Sequence, residues 1–365
     1  MGDASSVVEL RREESGVGQP EHLVYVRATE KCNLRCDHCF APPASRSMSA
    51  ADFAEIPAQV RKFAAPGSRI VLQWHGGEPT LLGPTRMEEA IAIIEGAGRD
   101  YCWEHSIQTN LVEYSSAWHG VLQRRFRNFV GVSWDPEIRF FQGSNEKYES
   151  RFWRNVERAL TDGLTLQLVV TGTRVFFEHY RTPTSFFRFL AERGIRLLHI
   201  ERLTPTGNAV RHWNRLGMSN AEYSAWMSRF AAAYIQWKRR SDVPSLCVSP
   251  FDGLFHSVRR MSPETAYGCW SGRCDTQFHT VGPHGYHKGC TALTCGLGEG
   301  ARAPDWAVVR QTRQVMCLTC DFRVICAGAC HALSVVDGSG ECAGGRKLFE
   351  TIRDVMRFSG SRRGG

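Results

Sequence analysis

The segment Cys32-Asn33-Leu34-Arg35-Cys36-Asp37-His38-Cys39 places three cysteines within eight residues, at spacing C-x3-C-x2-C. The next cysteine in the chain is Cys102. Three thiolates can hold three irons of a [4Fe–4S] cube and leave the fourth iron open to another ligand. Four protein ligands would instead close a cluster or a structural zinc. The competing reading of the thiols alone is a partial zinc site.

The rest of the composition narrows the setting. Fourteen cysteines in 365 residues need an explanation, and Met1 to Pro20 is polar, without the apolar core of a secretory signal. A disulfide framework is therefore not expected, and the chain is expected to be cytoplasmic. No apolar run reaches the ~18–20 residues that span a bilayer, so no membrane partner is expected. The formal net charge of +8 describes a mildly basic surface and is compatible with an acidic partner. There is no dense Lys/Arg run and no aromatic-basic repeat, so no nucleic-acid partner is expected. The cysteines are also segregated: three at 32–39, then Cys102 and Cys247, then nine from Cys269 to Cys342.

Periodicity gives an α/β order. His22 to Ala28 reads as a buried strand running straight into the cysteine loop. Ser49 is placed to cap a helix carrying Phe53, Ile56, Val60 and Phe63, which Pro57 is expected to kink or divide. Arg69 to Trp74 is a second strand, ending in His75-Gly76-Gly77-Glu78-Pro79, and a helix around Met87 to Ile94 follows. Further strands are expected at Ser106–Thr109, Phe129–Ser133, Leu164–Val170 and Leu197–Leu203. Helices are expected at Tyr114–Arg125, Arg151–Leu160 and Ser185–Glu192, the last two stopped by Gly163 and Gly194. Six such units imply parallel pairing and a partial (β/α)6 barrel of the TIM type, with functional loops at the C-terminal ends of the strands. The expected organisation is a flexible tail over 1–20, a barrel over 21–218 and a helical connector over 219–265. A cysteine-rich module over 266–345 and a closing helix and tail over 346–365 complete it. That module is glycine-rich with short elements, so metal centres are expected to hold it together.

Cys32-x3-Cys36-x2-Cys39, followed by Phe40 and by the Gly-Gly-Glu-Pro turn at the end of the second strand, resembles the signature of the radical S-adenosylmethionine (SAM) enzymes. The resemblance implies that the three thiolates bind a [4Fe–4S] cluster and that SAM chelates its open iron. It implies that Gly76, Gly77, Glu78 and Pro79 hold the SAM amino group. Glycines let backbone approach a ligand, and a carboxylate pairs with an ammonium. It places Gln108 and Asn110 at the end of the third strand, and Ser133 at the end of the fourth with Arg139 close behind, at the SAM ribose and carboxylate. Where the family has Asp-Gly after that serine, this chain has Trp134 and then Asp135-Pro136.

The second constellation is Cys269-x4-Cys274, Gly285-x4-Cys290, Cys317-x2-Cys320-x5-Cys326-x3-Cys330 and Cys342. It resembles the SPASM module, which carries two auxiliary [4Fe–4S] clusters. The resemblance assigns Cys269, Cys274, Cys290 and Cys330 to one cluster, and Cys317, Cys320, Cys326 and Cys342 to the other. A zinc ribbon competes for the C-x2-C pair. Cys102, Cys247 and Cys295 remain as ordinary thiols, with Cys295 close enough to Cys290 to be of interest. His279, His284 and His287 flank Cys290 as either solvated loop residues or proton carriers. Thr291 stands where sulfatase-maturing enzymes carry an aspartate, which argues against formylglycine formation here.

The implied activity is reductive cleavage of SAM to a 5′-deoxyadenosyl radical, followed by hydrogen abstraction from a substrate carbon. The expected substrate is a ribosomally synthesised precursor peptide, modified by cross-linking or epimerisation. The alternative is a small-molecule oxidase or epimerase, for example on an aminoglycoside. The remaining alternative is a non-enzymatic iron–sulfur carrier, which would need no SAM turn. Expected partners are an external electron donor such as flavodoxin or ferredoxin and, because the ~20 residues ahead of the first strand are too few for a winged leader-recognition domain, either another binding surface or a separate leader-binding protein for a leader.

Overall fold

The computed structural model describes residues 22–41, 44–294 and 305–360. The expected tails before residue 21 and after residue 360, and Cys295, lie outside the described residues. The strands are β1 (His22–Thr29), β2 (Leu34–Cys36), β3 (Arg69–Gly76), β4 (Cys102–Thr109), β5 (Phe129–Ser133), β6 (Arg139–Phe141), β7 (Thr165–Gly172), β8 (Leu197–Arg202), β9 (Cys247–Ser249), β10 (Phe278–Gly282) and β11 (Gly285–Lys288). Nine of them form one sheet in the order β11-β10-β1-β3-β4-β5-β7-β8-β9, and β2 pairs with β6 apart from it. All neighbours in the large sheet are parallel except β10 and β11.

The six expected β/α units are the middle of this sheet, β1 through β8 without β2 and β6. Alternation along the strands explains its two faces. On β1, Val24, Val26 and Ala28 are fully buried, as are Ile70, Leu72 and Trp74 on β3. They join the core shared with Phe53, Ile56 and Ile91 of the covering helices. Each such large side chain contributes roughly 1.5–3 kcal/mol by leaving water. The opposite face carries Tyr25, Arg27, Gln73, His75, Gln108 and His199, none of them fully buried, and makes a polar interior.

Two additions to the sheet were not expected. β9 extends it beyond β8, so residues 219–265 are not wholly helical. At the other edge, β10 pairs in parallel with β1 through Leu23–Phe278 to Val26–Val281. The cysteine-rich module is thereby built onto the same sheet, beside the strand that feeds the first cysteine loop.

The helix over Ala50–Val60 starts as expected. Ser49 accepts from Asp52 N at 3.2 Å, and Asp52 accepts from Ser49 N at 2.7 Å. Pro57 does not divide it: the helix continues to Val60. An interior proline costs ~3 kcal/mol in an isolated helix. Here the ring is buried against Gly98, where an added Cβ would sit 2.9 Å from Pro57 and 2.5 Å from Trp103. Packing on the neighbouring turn outweighs the lost hydrogen bond. Two helix starts also moved. The helix expected from Arg151 begins at Asn145, behind Ser144, because its polar first turn has no apolar period. The one expected from Tyr114 begins at Ser116, capped by Ser115.

The helix Asn220–Lys238 opens with a second capping box, Ser219 with Glu222, and Glu222 also receives Arg174 at 2.7 Å. The closing helix Arg346–Gly360 packs along it, with Leu348 N donating to Ser224 Oγ at 3.2 Å. We predict that Ser219→Ala lowers stability by about 1 kcal/mol in denaturant titration, without loss of fold.

Candidate active site

β1 ends at the opening of the cysteine loop, and three separate contacts fix that loop. β2, which contains Cys36, pairs with β6 so that Cys36 lies opposite Arg139. Asn208 N donates to Cys39 O at 2.8 Å, and Asn208 Nδ2 to Cys36 O at 3.1 Å. Gly207 lies so close beneath that an added Cβ would stand 2.3 Å from Cys39 O. This brace from beyond β8 had no visible sequence signal.

The three thiols influence one another electrostatically, and each is driven toward its neutral form. Burial pushes Cys32 up to about 12 and raises Cys36 and Cys39 too, while Arg139 pulls all three down. Cys32 Sγ accepts from Leu34 N at 3.4 Å, and Cys39 Sγ donates to Ala41 O at 3.1 Å. Desolvated thiols of this kind become stable thiolates when a cation binds them, so the donor set fits iron. Among the described residues no three His, Cys, Asp or Glu groups converge as around a single metal ion. The thiolates of a cubane cluster stand further apart than those around one ion.

The Gly-Gly-Glu-Pro turn lies directly against this loop. Gly77 N donates to Thr29 O at 2.9 Å and Glu78 N to Lys31 O at 2.8 Å. A Cβ on Gly76 would stand 2.4 Å from Thr29 O, and one on Gly77 would stand 2.2 Å from Lys31 O. The glycines are needed first for backbone meeting backbone. Glu78, expected to face a bound ammonium, turns inward and is buried. Its Oε1 accepts from Thr80 N at 3.0 Å, Thr80 Oγ1 at 2.6 Å and Thr109 Oγ1 at 2.6 Å; Oε2 accepts from Asn110 N at 2.7 Å. Burial raises its carboxyl and these bonds oppose the rise.

The remaining predicted residues gather at the same end of the sheet. Gln108 Nε2 donates to Ser133 Oγ at 2.7 Å, crossing Gly131, where a Cβ would meet Gln108 Oε1 at 2.1 Å. Asn110 Nδ2 donates to Asn33 Oδ1 at 2.7 Å, inside the cysteine loop itself. Arg139 comes with a counter-ion that the sequence reading did not use: fully buried Asp135 accepts from it at 2.7 Å. Asp135 also accepts from Thr171 N at 2.5 Å and contacts His38 at 3.3 Å. Burial holds His38 well below its usual range, so this last contact involves a neutral imidazole.

The C-terminal cysteines form two groups. Cys269 hydrogen-bonds to Cys330, and both interact with Cys274. Tyr25 of β1 lies within electrostatic reach of Cys290, Cys269 and Cys274. In the other group Cys326 interacts with Cys342 and Cys317, and Cys317 with Cys320. Gly344 is pressed on that group: a Cβ there would lie 2.7 Å from Cys326 Sγ. Arg313, missed in the sequence because it reads as one more cation on an amphipathic helix, is buried between the groups. It donates to Gly328 O, Cys330 O and Leu333 O at 2.8–2.9 Å. His279 lies in β10, stacked on Phe63 at 3.4 Å and bonded to Tyr286. His284 contacts Glu30 at 3.1 Å.

A family model described as the radical SAM superfamily matches residues 26–175, from β1 to just past β7. The chain contains a radical SAM domain. It is accordingly an enzyme of the radical SAM class, with SAM and an iron–sulfur cluster as cofactors. The serine-type anaerobic sulfatase-maturating enzyme of Klebsiella aerogenes is 23% identical over 93% of this chain and 86% of its own length. Among solved structures, anSMEcpe with bound AdoMet and Cp18Cys peptide superposes with a TM-score of 0.72 at 16% identity, covering 93% of this chain and 99% of that one. Streptococcus suis SuiB bound to precursor peptide SuiA superposes at 0.59 and 15% identity, covering 88% and 74%. The likeness in fold therefore extends past the radical SAM domain into the cysteine-rich C-terminal region, which is consistent with a SPASM module. No helix among the described residues is long and apolar enough to cross a membrane.

Gly77→Ala is predicted to separate the turn from the loop, because its Cβ meets backbone, which cannot swing aside. The purified variant should retain less than half of the wild-type SAM affinity in equilibrium dialysis.

Proposed function

We propose that this radical SAM enzyme modifies a ribosomally synthesised peptide by forming a cross-link or inverting a stereocentre, in the cytoplasm. The observation that carries the reading is the joint between the cysteine loop and the Gly-Gly-Glu-Pro turn, set at the mouth of a polar interior. The cofactors, when bound, supply radical hydrogen abstraction from an unactivated substrate carbon.

Cys32, Cys36 and Cys39 hold the SAM-binding cluster. Because Glu78 is spent on Thr80, Thr109 and Asn110, the turn from Gly76 to Pro79 would hold the SAM amino group through its backbone. Gln108 and Ser133 form one linked pair toward the ribose, and Asn110 supports the loop through Asn33. Arg139 lies 4.0 Å from Cys36 Sγ and keeps positive charge beside the thiolates, with Asp135 fixing its orientation. Cys269, Cys274, Cys290 and Cys330 hold one auxiliary [4Fe–4S] cluster, and Cys317, Cys320, Cys326 and Cys342 the other, for three in all. An external flavodoxin or ferredoxin delivers electrons, and a separate protein presents the leader of the precursor.

The interior also offers a proton acceptor. Half-exposed Glu201 contacts His199 at 3.2 Å, His199 meets Ser249 Oγ at 2.8 Å, and Ser249 meets Tyr267 at 2.5 Å. This row can receive a proton from the substrate and pass it away from the reacting carbon.

The peptide reading is supported by similarity along nearly the whole chain to a sulfatase-maturating enzyme, and by a shared fold with two enzymes solved with peptides bound. Anaerobic reconstitution should yield about twelve irons per chain, whereas about four would remove both auxiliary clusters. Replacing Cys32, Cys36 and Cys39 with alanine should abolish 5′-deoxyadenosine formation and leave about eight irons. Glu201→Gln should keep 5′-deoxyadenosine formation while lowering product about 10²-fold, the lower end expected for a general base. Turnover of an amino sugar, and of no peptide from the neighbouring reading frames, would overturn the substrate assignment.

A further inference from the structure

A cavity of about 550 Å³ opens where the C-terminal ends of β7 and β8 meet the cysteine-rich module. Its volume is that of a small-ligand site. Gly172 and Arg202 close the two strands into it, the start of the helix Asn220–Lys238 forms one wall, and Leu333, Ser334 and Asp337 form another. Pro205 also lines it, two residues before the Gly207–Asn208 brace of the cysteine loop. The cavity thus lies at the barrel mouth, between the radical SAM site and the auxiliary module.

Two of its lining groups are poorly matched by the protein alone. Tyr223 is 4% exposed, and its hydroxyl has no hydrogen-bond partner. A buried hydroxyl without a partner costs ~1–3 kcal/mol, so native structures rarely leave one without a purpose. The Arg202 guanidinium lies over the Tyr223 ring at 4.2 Å. It donates to Ala343 O at 2.5 Å and to Asn220 Oδ1 at 2.6 Å, both neutral. No carboxylate among the described residues forms an ion pair with it, and two of its five N–H groups account for these bonds. The other cation in the lining, Arg174, is already neutralised by Glu222. Asp337, the lining's carboxylate, accepts from Asn220 N at 2.6 Å and from Ser339 N at 3.0 Å.

Asp337, Cys330 and Cys269 act on Arg202 electrostatically, but none hydrogen-bonds to it, so a guanidinium with N–H groups to spare beside an unpartnered phenol is a donor set for a monoanion. A planar carboxylate suits it by accepting from the fork and the hydroxyl together. Asp337 across the same space opposes any anion, and a dianion about twice as strongly as a monoanion. We propose that this cavity is a carboxylate-binding site, with Arg202 and Tyr223 Oη as donors, and that it anchors an acidic side chain of the peptide substrate. The net charge of +8 favours approach of such a segment. This rests on the peptide-modifying reading given above.

The test is calorimetric titration of the reconstituted full chain with SAM and without reductant. The probes are acetyl-Ala-Ala-Glu-Ala-Ala-amide, its glutamine counterpart, glutarate and inorganic phosphate. The glutamate peptide is expected to bind about tenfold tighter than the glutamine peptide. Tyr223→Phe should erase most of that preference while leaving the thermal midpoint unchanged or higher, since it removes an unsatisfied group. Arg202→Lys, which keeps the charge but not the fork, should weaken the preference severalfold. Equal binding of the two peptides, or a preference that survives Tyr223→Phe, would overturn the site. Glutarate binding as tightly as the peptide would overturn the peptide anchor, and phosphate binding tighter than either would overturn the carboxylate assignment. Iron content and SAM affinity are measured on the same sample. A preparation sound in both that shows no glutamate preference rejects this site while leaving the proposed function standing.

Discussion

Backbone meets backbone where the Gly-Gly-Glu-Pro turn crosses Thr29 to Lys31, and the site is built outward from that contact. Two hydrogen bonds join the segments at 2.8–2.9 Å. Neither glycine could bear a side chain without colliding with a carbonyl oxygen. Glu78 then carries the contact sideways: its carboxylate ties the turn to Thr109 and Asn110 at the end of β4, and Asn110 reaches back to Asn33. The cysteine loop is held by the ends of two neighbouring strands before any cofactor arrives. A site organised beforehand spends less binding free energy on ordering itself.

A second frame closes around the same loop from the other side. Arg139 stands opposite Cys36 in the β2–β6 pair, with Asp135 locked on Arg139 and on the β7 backbone. Asp135 illustrates a general condition on buried charge, which is tolerable when paired and fully hydrogen-bonded. Asn208 adds a tie from the segment after β8. The loop thus gathers contacts from β3, β4, β6 and the far half of the barrel, so disturbance in distant parts of the sheet can reach the cysteines.

Much of this was legible in the sequence where the signal is local. The three-cysteine spacing, the glycine turn, the six central strands and the Ser49 cap all follow from residues within a few positions of one another. What escaped depends on distant partners. β9 has three residues, too few for any period. The register of β10 on β1 joins positions 255 residues apart, Leu23 with Phe278. Pro57 was expected to break its helix because the sequence does not show Gly98 waiting to receive its ring. Glu78 was assigned to the ligand because its actual partners, Thr109 and Asn110, are brought in by β4. Arg313 reads as one more surface cation and is buried, holding the carbonyls of Gly328, Cys330 and Leu333. Cys269, Cys274 and Cys330 gather apart from Cys317, Cys320, Cys326 and Cys342, a division that no spacing in the sequence displays by itself.

The central claim is that the Cys32, Cys36 and Cys39 centre has an open iron that SAM occupies. Electron paramagnetic resonance of the dithionite-reduced protein, with and without SAM, tests it most directly. The account predicts that SAM shifts the g-values of one cluster signal, and that this signal is missing from the variant lacking the three cysteines. A spectrum unchanged by saturating SAM, or a SAM-induced shift that persists in that variant, would contradict it.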